Sequence, residues 1–206
     1  MPKSSPELTA SRREEIVNAC EKLYQTMSFK DITLKEISVE TSFSRPSIYN
    51  YFQTKEEIFL ALMQREYELW SAELDALSEK HQAMSVEDFS SALAHSLEKR
   101  KQLLKLLAMN HYDMEENSRP ERLTEFKTAY GASLDAVRTC LDKFFPDTNR
   151  EQFIYVFFPF LFGVYPYAVA TDKQISAMKE ANCKFELHSI YEIIYLCAKQ
   201  LLGGAL

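Results

Sequence analysis

At 206 residues, with 46% hydrophobic and 26% charged side chains, the chain can bury one or two cores and is too apolar to be disordered. Four glycines and seven prolines are too few for the many tight turns of an all-β fold, and runs rich in Leu, Glu, Lys and Ala point to helices. The net charge of −6 argues against a general nucleic-acid coat, but it is uneven: residues 1–55 carry eight basic and seven acidic side chains, the remainder sixteen and twenty-three.

The predicted elements are all helices. Residues 1–13 lack an apolar stretch, so no signal peptide is expected. A first helix is predicted over 10–27, with Ser11 and Glu14 as a capping pair and Ile16, Cys20, Leu23 and Met27 on one apolar stripe. Phe29 and Ile32 close the loop that follows. Thr33 and Glu36 open a second helix over 34–41, whose Ile37, with Phe43 in the next turn, can meet that stripe. A third helix over 45–52 has Ile48 and Phe52 four apart and therefore facing the same way. Three short helices on a miniature core, the last two joined by a tight turn, make a helix-turn-helix.

With Ile48 and Phe52 inward, Pro46 and Asn50 point away, Arg45 and Tyr49 share one flank, and Ser47 and Tyr51 share the other. Ser44 stands at the start of this helix. Arg45 offers a planar fork suited to guanine, and Asn50 could pair with adenine. The tyrosine hydroxyls can reach phosphate oxygens. Thr33 and Lys35 at one helix start, and Lys55 at the next, supply hydroxyl, N–H and cation to a passing backbone. Alone, an Arg, Asn or Lys reads as solvated surface and a tyrosine as half-buried packing; the constellation carries the inference.

Further helices are predicted over 55–81, 86–98, 100–116, 119–145, 149–171 and 184–203, with 173–182 a short helix or a loop. Capping pairs mark several starts: Thr54/Glu57, Ser85/Asp88, Ser118/Glu121 and Thr148/Glu151. Residues 153–170 hold no charge, a length close to a membrane span, but Pro159, Gly163 and Pro166 interrupt them. A helix buried in the fold or in a subunit interface is the expectation there. Apolar cavities with a few polar anchors bind small molecules. Leu93, Leu97, Met109, His111, Tyr112, Phe126, Tyr130, Phe158, Phe162 and Tyr165 are the candidates for such a pocket, for a small hydrophobic or aromatic ligand.

Cys20, Cys140, Cys183 and Cys197 are scattered without metal-ligand spacing and fit a reduced cytoplasmic chain. The four histidines show no zinc pattern, and no nucleophile elbow or phosphate loop occurs. Neither catalysis nor a cofactor or metal is expected.

Ile32-Thr33-Leu34-Lys35-Glu36-Ile37, then Ser44 to Phe52 and Lys55-Glu56-Glu57-Ile58, resembles the N-terminal DNA-binding domain of TetR-family transcriptional regulators. The likeness covers about residues 10–60, and Gly163-Val164-Tyr165-Pro166 is similar to a Gly-x-x-Pro of some members. The family's turn glycine is replaced by Ser42 and its early recognition-helix glycine by Pro46. The resemblance implies an all-α chain. Residues 1–54 would be the helix-turn-helix domain and 55–206 a bundle for effector binding and dimerisation through the last two long helices. It implies a homodimer on an inverted-repeat operator in double-stranded DNA. The expected function is ligand-responsive repression. The alternative is a dimeric adaptor tethered to DNA and controlled by a protein partner.

Overall fold

The computed structural model describes residues 5–109 and 111–203, and every regular element among them is a helix. In chain order these are α1 (Pro6–Thr26), α2 (Leu34–Val39), α3 (Arg45–Ile48), α4 (Lys55–Lys80), α5 (Val86–Glu98), α6 (Lys101–Leu107), α7 (His111–Glu116), α8 (Pro120–Phe144), α9 (Arg150–Ala168), α10 (Asp172–Glu180) and α11 (Ile190–Leu202).

Caps decide where several of them begin. Helix α1 starts four residues before the sequence predicts, because Ser5 accepts the Leu8 N–H and Pro6 needs no partner in the first turn; Ser11 is interior. Thr33 and Ser85 cap α2 and α5 as expected. Asn149, rather than Thr148, caps α9, and the Ser118 hydroxyl donates back to the Met114 carbonyl instead of capping α8. Residues 173–182 contribute a real helix, α10, opened by a Thr171–Gln174 capping box. The last helix starts at Ile190 behind a Ser189–Glu192 box, six residues later than predicted. The predicted 100–116 helix is two, α6 and α7.

The chain forms two compact units that follow contacts more than chain order. One takes in the residues up to Glu66 together with 111–130; the other holds Tyr67–Met109 and everything from Gly131 onward.

In the first unit Ile16, Cys20, Ile32, Ile37, Ile48 and Phe52 are fully buried, as the apolar spacing requires. Val17 and Tyr24 take inner places on α1, whereas Leu23, Met27 and Phe43 sit half-buried at the rim. Tyr24 and Phe29 meet Phe59 of α4 edge to face, at 5.1 and 4.7 Å. The Arg65 guanidinium ties α4 to α1 through Glu14, Asn18 and Glu21 at 2.5 to 2.7 Å.

The second unit is built on aromatic packing. Trp70 is fully buried, donates its indole N–H to Ser96 at 3.0 Å and meets Phe158 at 5.7 Å. Helix α11 packs on α5 and α9, and α6 packs on α9. Along α5 and α11, Ser91 meets the Tyr191 hydroxyl at 3.0 Å, and Lys199 pairs with Glu87. The uncharged stretch lies mainly in α9, where Phe153, Ile154, Phe157, Phe158, Leu161 and Val164 are buried. No single helix among the described residues is long and apolar enough to cross a membrane.

Candidate nucleic-acid interface

Helix α3 is short because residues 49–52 leave the regular α pattern. Asn50 N–H donates to Ser47 O and Tyr51 N–H to Ile48 O, tightening the last turn. Ile48 and Phe52 still reach the core with no exposure. Opposite them Arg45, Pro46 and Asn50 are exposed, and Tyr49 is 46% exposed. Arg45 donates to the Tyr49 hydroxyl at 3.3 Å, so the flank foreseen from spacing forms as a unit. Ser44 and Ser47 share a hydroxyl contact of 3.0 Å, and Ser47 is half-buried. Apolar residues thus hold the segment by one side, while a fork, an amide and a phenol stand on the other. That is the division of labour an element entering the major groove needs.

Tyr51 is held more tightly than its position suggests. Its ring lies beside Phe43, with centroids 6.3 Å apart, and its hydroxyl accepts from Arg12 at 3.2 Å. Arg12 also stands 5.7 Å over the Phe43 ring, which brings a guanidinium from α1 to the side of Tyr51. Spacing alone gives no sign of it, because the two partners are 39 residues apart. The turn before α3 is held by Glu15, whose carboxylate accepts from the Ser42 N–H at 2.5 Å and hydroxyl at 3.2 Å. Ser42 needs no left-handed backbone: among the described residues only Asn182, at φ 51°, is a non-glycine there.

Thr33 and Lys35 are exposed at the start of α2, where Thr33 accepts the Lys35 N–H at 3.2 Å and donates to Glu36. That bond, before any other cause, draws the Glu36 carboxyl below its usual range. Lys55 turns inward. Its ammonium donates to Phe29 O at 2.7 Å and Ile32 O at 3.1 Å, and stands 4.1 Å over the Phe29 ring. Val39, 76% exposed at the end of α2, is an apolar side chain beside this edge that the periodicity did not single out.

The ten pocket candidates divide between the units. His111, Tyr112, Phe126 and Tyr130 belong to the first; Leu93, Leu97, Met109, Phe158, Phe162 and Tyr165 belong to the second. Leu93 and Leu97 are fully buried and Phe158 nearly so, whereas Tyr112 is 85% exposed. Burial raises the Tyr165 phenol above its ordinary range. Ser90 lies on the same α5 face as Leu93 and Leu97, fully buried, with no hydrogen-bond partner for its hydroxyl. Sequence reasoning passed over it, since a lone serine in an apolar helix face carries no signal. A groove of about 520 Å³ in the second unit is lined instead by residues of α9, α10 and the following loop, among them Pro166, Met178 and Phe185.

Helix α9 also carries an outward stripe. Tyr155, 80% exposed, is followed along it by exposed Pro159, Phe162 and Pro166. The two prolines remove the N–H groups that would bond the carbonyls of Tyr155 and Phe162, so the lost bonds fall on this outer face and spare the core. On α11, Leu196 is 58% exposed.

Comparison with known proteins agrees with the helix-turn-helix. Residues 16–62 match the family model described as bacterial regulatory proteins, tetR family, and residues 64–187 match that of the tetracyclin repressor-like C-terminal domain. A Bacillus subtilis HTH-type transcriptional regulator, YfiR, is 29% identical over 98 residues. The match spans 47% of this chain and 47% of that protein, about half of either. Among solved structures, the fatty acid degradation regulator FadR of Bacillus halodurans superposes with a TM-score of 0.59 at 15% identity, over 98% of each chain. Thermus thermophilus FadR, a repressor solved with lauroyl-CoA, gives 0.58 at 20% identity over 95% of each.

Proposed function

Because the chain belongs to the TetR family of bacterial regulatory proteins, we propose that it is a ligand-responsive repressor that binds an inverted-repeat operator as a homodimer in the cytoplasm. The observation that carries this is the edge of Arg45, Tyr49 and Asn50, exposed above a fully buried Ile48 and Phe52. Arg45 and Asn50 read bases; Ser44, Ser47, Tyr49, Thr33 and Lys35 meet phosphates, with Arg12 as an added cation. Pro46 leaves its position without a donor, so the operator differs there from those of members with glycine. Lys55 acts from within, by holding the loop before α2.

The homodimer covers the stripe on α9 and Leu196 on α11. An adaptor would use the same stripe for a protein partner, but two-fold pairing covers it without a second protein. The effector is hydrophobic. Buried Leu93, Leu97 and Phe158 suit an apolar chain or ring, and the unpartnered Ser90 hydroxyl suits one polar atom. The lauroyl-CoA held by the Thermus thermophilus FadR makes an acyl group the first class to try. Effector binding favours a spacing of the two reading helices that no longer fits successive major grooves, a shift of population.

Footprinting on DNA upstream of the protein's own gene tests the reading. A protected inverted repeat, released by acyl-CoA or by an aromatic compound, is the expected result. Absence of protection at low salt would overturn it.

A further inference from the structure

Helix α3 has four residues, too few to keep a conformation by itself. Its pose therefore depends on the buried Ile48 and Phe52 and on what grips its ends. The carboxyl-terminal end is gripped from a distant part of the chain. Arg119, the residue before α8, donates through Nε to Glu57 Oε1 at 2.6 Å and through Nη2 to Glu57 Oε2 at 2.8 Å, a two-pronged pair. The same Nη2 donates to the Tyr51 carbonyl at 3.3 Å. The Arg119 backbone N–H also reaches Glu57 Oε1, at 3.1 Å.

Glu57 has no exposure and gathers the surrounding donors. Its Oε2 accepts the Gln53 N–H at 2.8 Å, one residue past the reading segment. Next to it the Thr54 hydroxyl donates to the Asn117 carbonyl at 3.0 Å. The remaining guanidinium nitrogen of Arg119, Nη1, stands 3.4 Å from Glu121. Nε and Nη2 are thus engaged with Glu57 and the Tyr51 carbonyl, and Nη1 stands beside a carboxylate.

We propose that Arg119 is a positioning residue for DNA reading: through Glu57 and the Tyr51 carbonyl, it fixes the end of the reading helix from the start of α8. The proposal rests on α3 being the reading element. Arg119 never touches DNA; it sets the angle at which Tyr49, Asn50 and Tyr51 are offered. Tyr51 is then held twice, at its carbonyl by Arg119 and at its hydroxyl by Arg12.

The test uses the full-length protein and the duplex recovered by footprinting, with affinity measured by fluorescence anisotropy over a series of salt concentrations. Arg119→Gln is expected to weaken binding about tenfold at every salt concentration, with the slope of log affinity against log salt unchanged. Amide exchange in the free variant is expected to speed up at residues 49–57 and to stay as in the parent at Trp70 and its neighbours. Glu57→Gln, which keeps the shape of the side chain, should move both readouts the same way and serves if Arg119→Gln folds poorly. Parent-like affinity in both variants overturns the role of Arg119, as does a reduced salt slope, which would make it a phosphate contact. A parent that binds no duplex fails the DNA reading itself, and is told apart because then no variant comparison differs.

Discussion

Lys55 donates to the carbonyls of Phe29 and Ile32 and lies over the Phe29 ring, so its charge serves the loop before α2. Lys55→Ala is therefore expected to lower stability by about 2 kcal/mol, the scale of hydrogen bonds from a charged donor, and to leave the salt slope of DNA binding intact. Tyr49→Phe should weaken binding to all sequences alike, and Arg45→Ala should relax preference at one base pair. Binding to a panel of single-base operator variants checks both; a uniform loss with Arg45→Ala would remove its base-reading role. Glu57 gives a pH signature. Burial alone would raise its carboxyl, but the Arg119 guanidinium and the N–H groups of Gln53 and Arg119 outweigh burial and hold it below the usual range. A carboxyl depressed in the folded state adds stability above its unfolded value, about 4.3, and loses it as pH falls through the lower folded value. Arg119 is 29% exposed, so removing its partner should cost about 3 kcal/mol, the low end for buried pairs. The stability difference between parent and Glu57→Gln is expected to be flat from pH 8 to about 5 and to shrink below about 4. Urea melts across that range measure it, and a difference that persists unchanged at pH 3 would contradict the assignment.

An element whose limits are set by its own residues could be read directly. Thr33 and Ser85 cap where their spacing to Glu36 and Asp88 says, and α5 matches its predicted span. Reading failed where two local signals compete. Ser5 with Pro6 outcompeted Ser11 for the start of α1, and Asn149 took the cap of α9 from the neighbouring Thr148. It failed again where the deciding partner is far along the chain. Glu57 and Arg119 are 62 residues apart, and no periodicity links them. The exposed side of residues 45–50 was legible because buried Ile48 and Phe52 fix which side faces out; the grip of Arg119 beyond it was not. Those same two side chains make an element-scale prediction. Ile48→Ala opens a void beneath a helix of four residues, and cores lose about 2 to 5 kcal/mol for that change. The one tryptophan, Trp70, lies in the second unit and reports only there. Amide exchange at α2 and α3 should rise steeply in this variant while the Trp70 fluorescence transition in urea moves much less. Equal shifts in both would mean that the two units unfold as one.

At the scale of the whole molecule, affinity for an inverted repeat is a property of two copies. On the proposed reading, one α3 touches a few base pairs; joining two through a fixed interface makes the second contact intramolecular and multiplies affinity by roughly 10² to 10⁴. The face available for that joining is specific. Tyr155 and Phe162 stand out from the α9 stripe, and Leu196 stands out from α11, which packs beside α9. Large apolar side chains gathered this way are costly to leave in water and have little to do in a monomer. Tyr155→Glu combined with Leu196→Glu sets charges against each other across any two-fold pairing of this face, since each residue recurs in both copies. Neither side chain belongs to the core, so the fold is expected to survive, with helicity and the Trp70 environment unchanged. Sedimentation should then show a monomer at concentrations where the parent is dimeric. Operator affinity should fall about a hundredfold, while weak binding to a single half-site remains as in the parent. A variant that stays dimeric would move the interface away from α9 and α11. One that becomes monomeric yet binds the full operator like the parent would mean that the two half-sites are occupied independently.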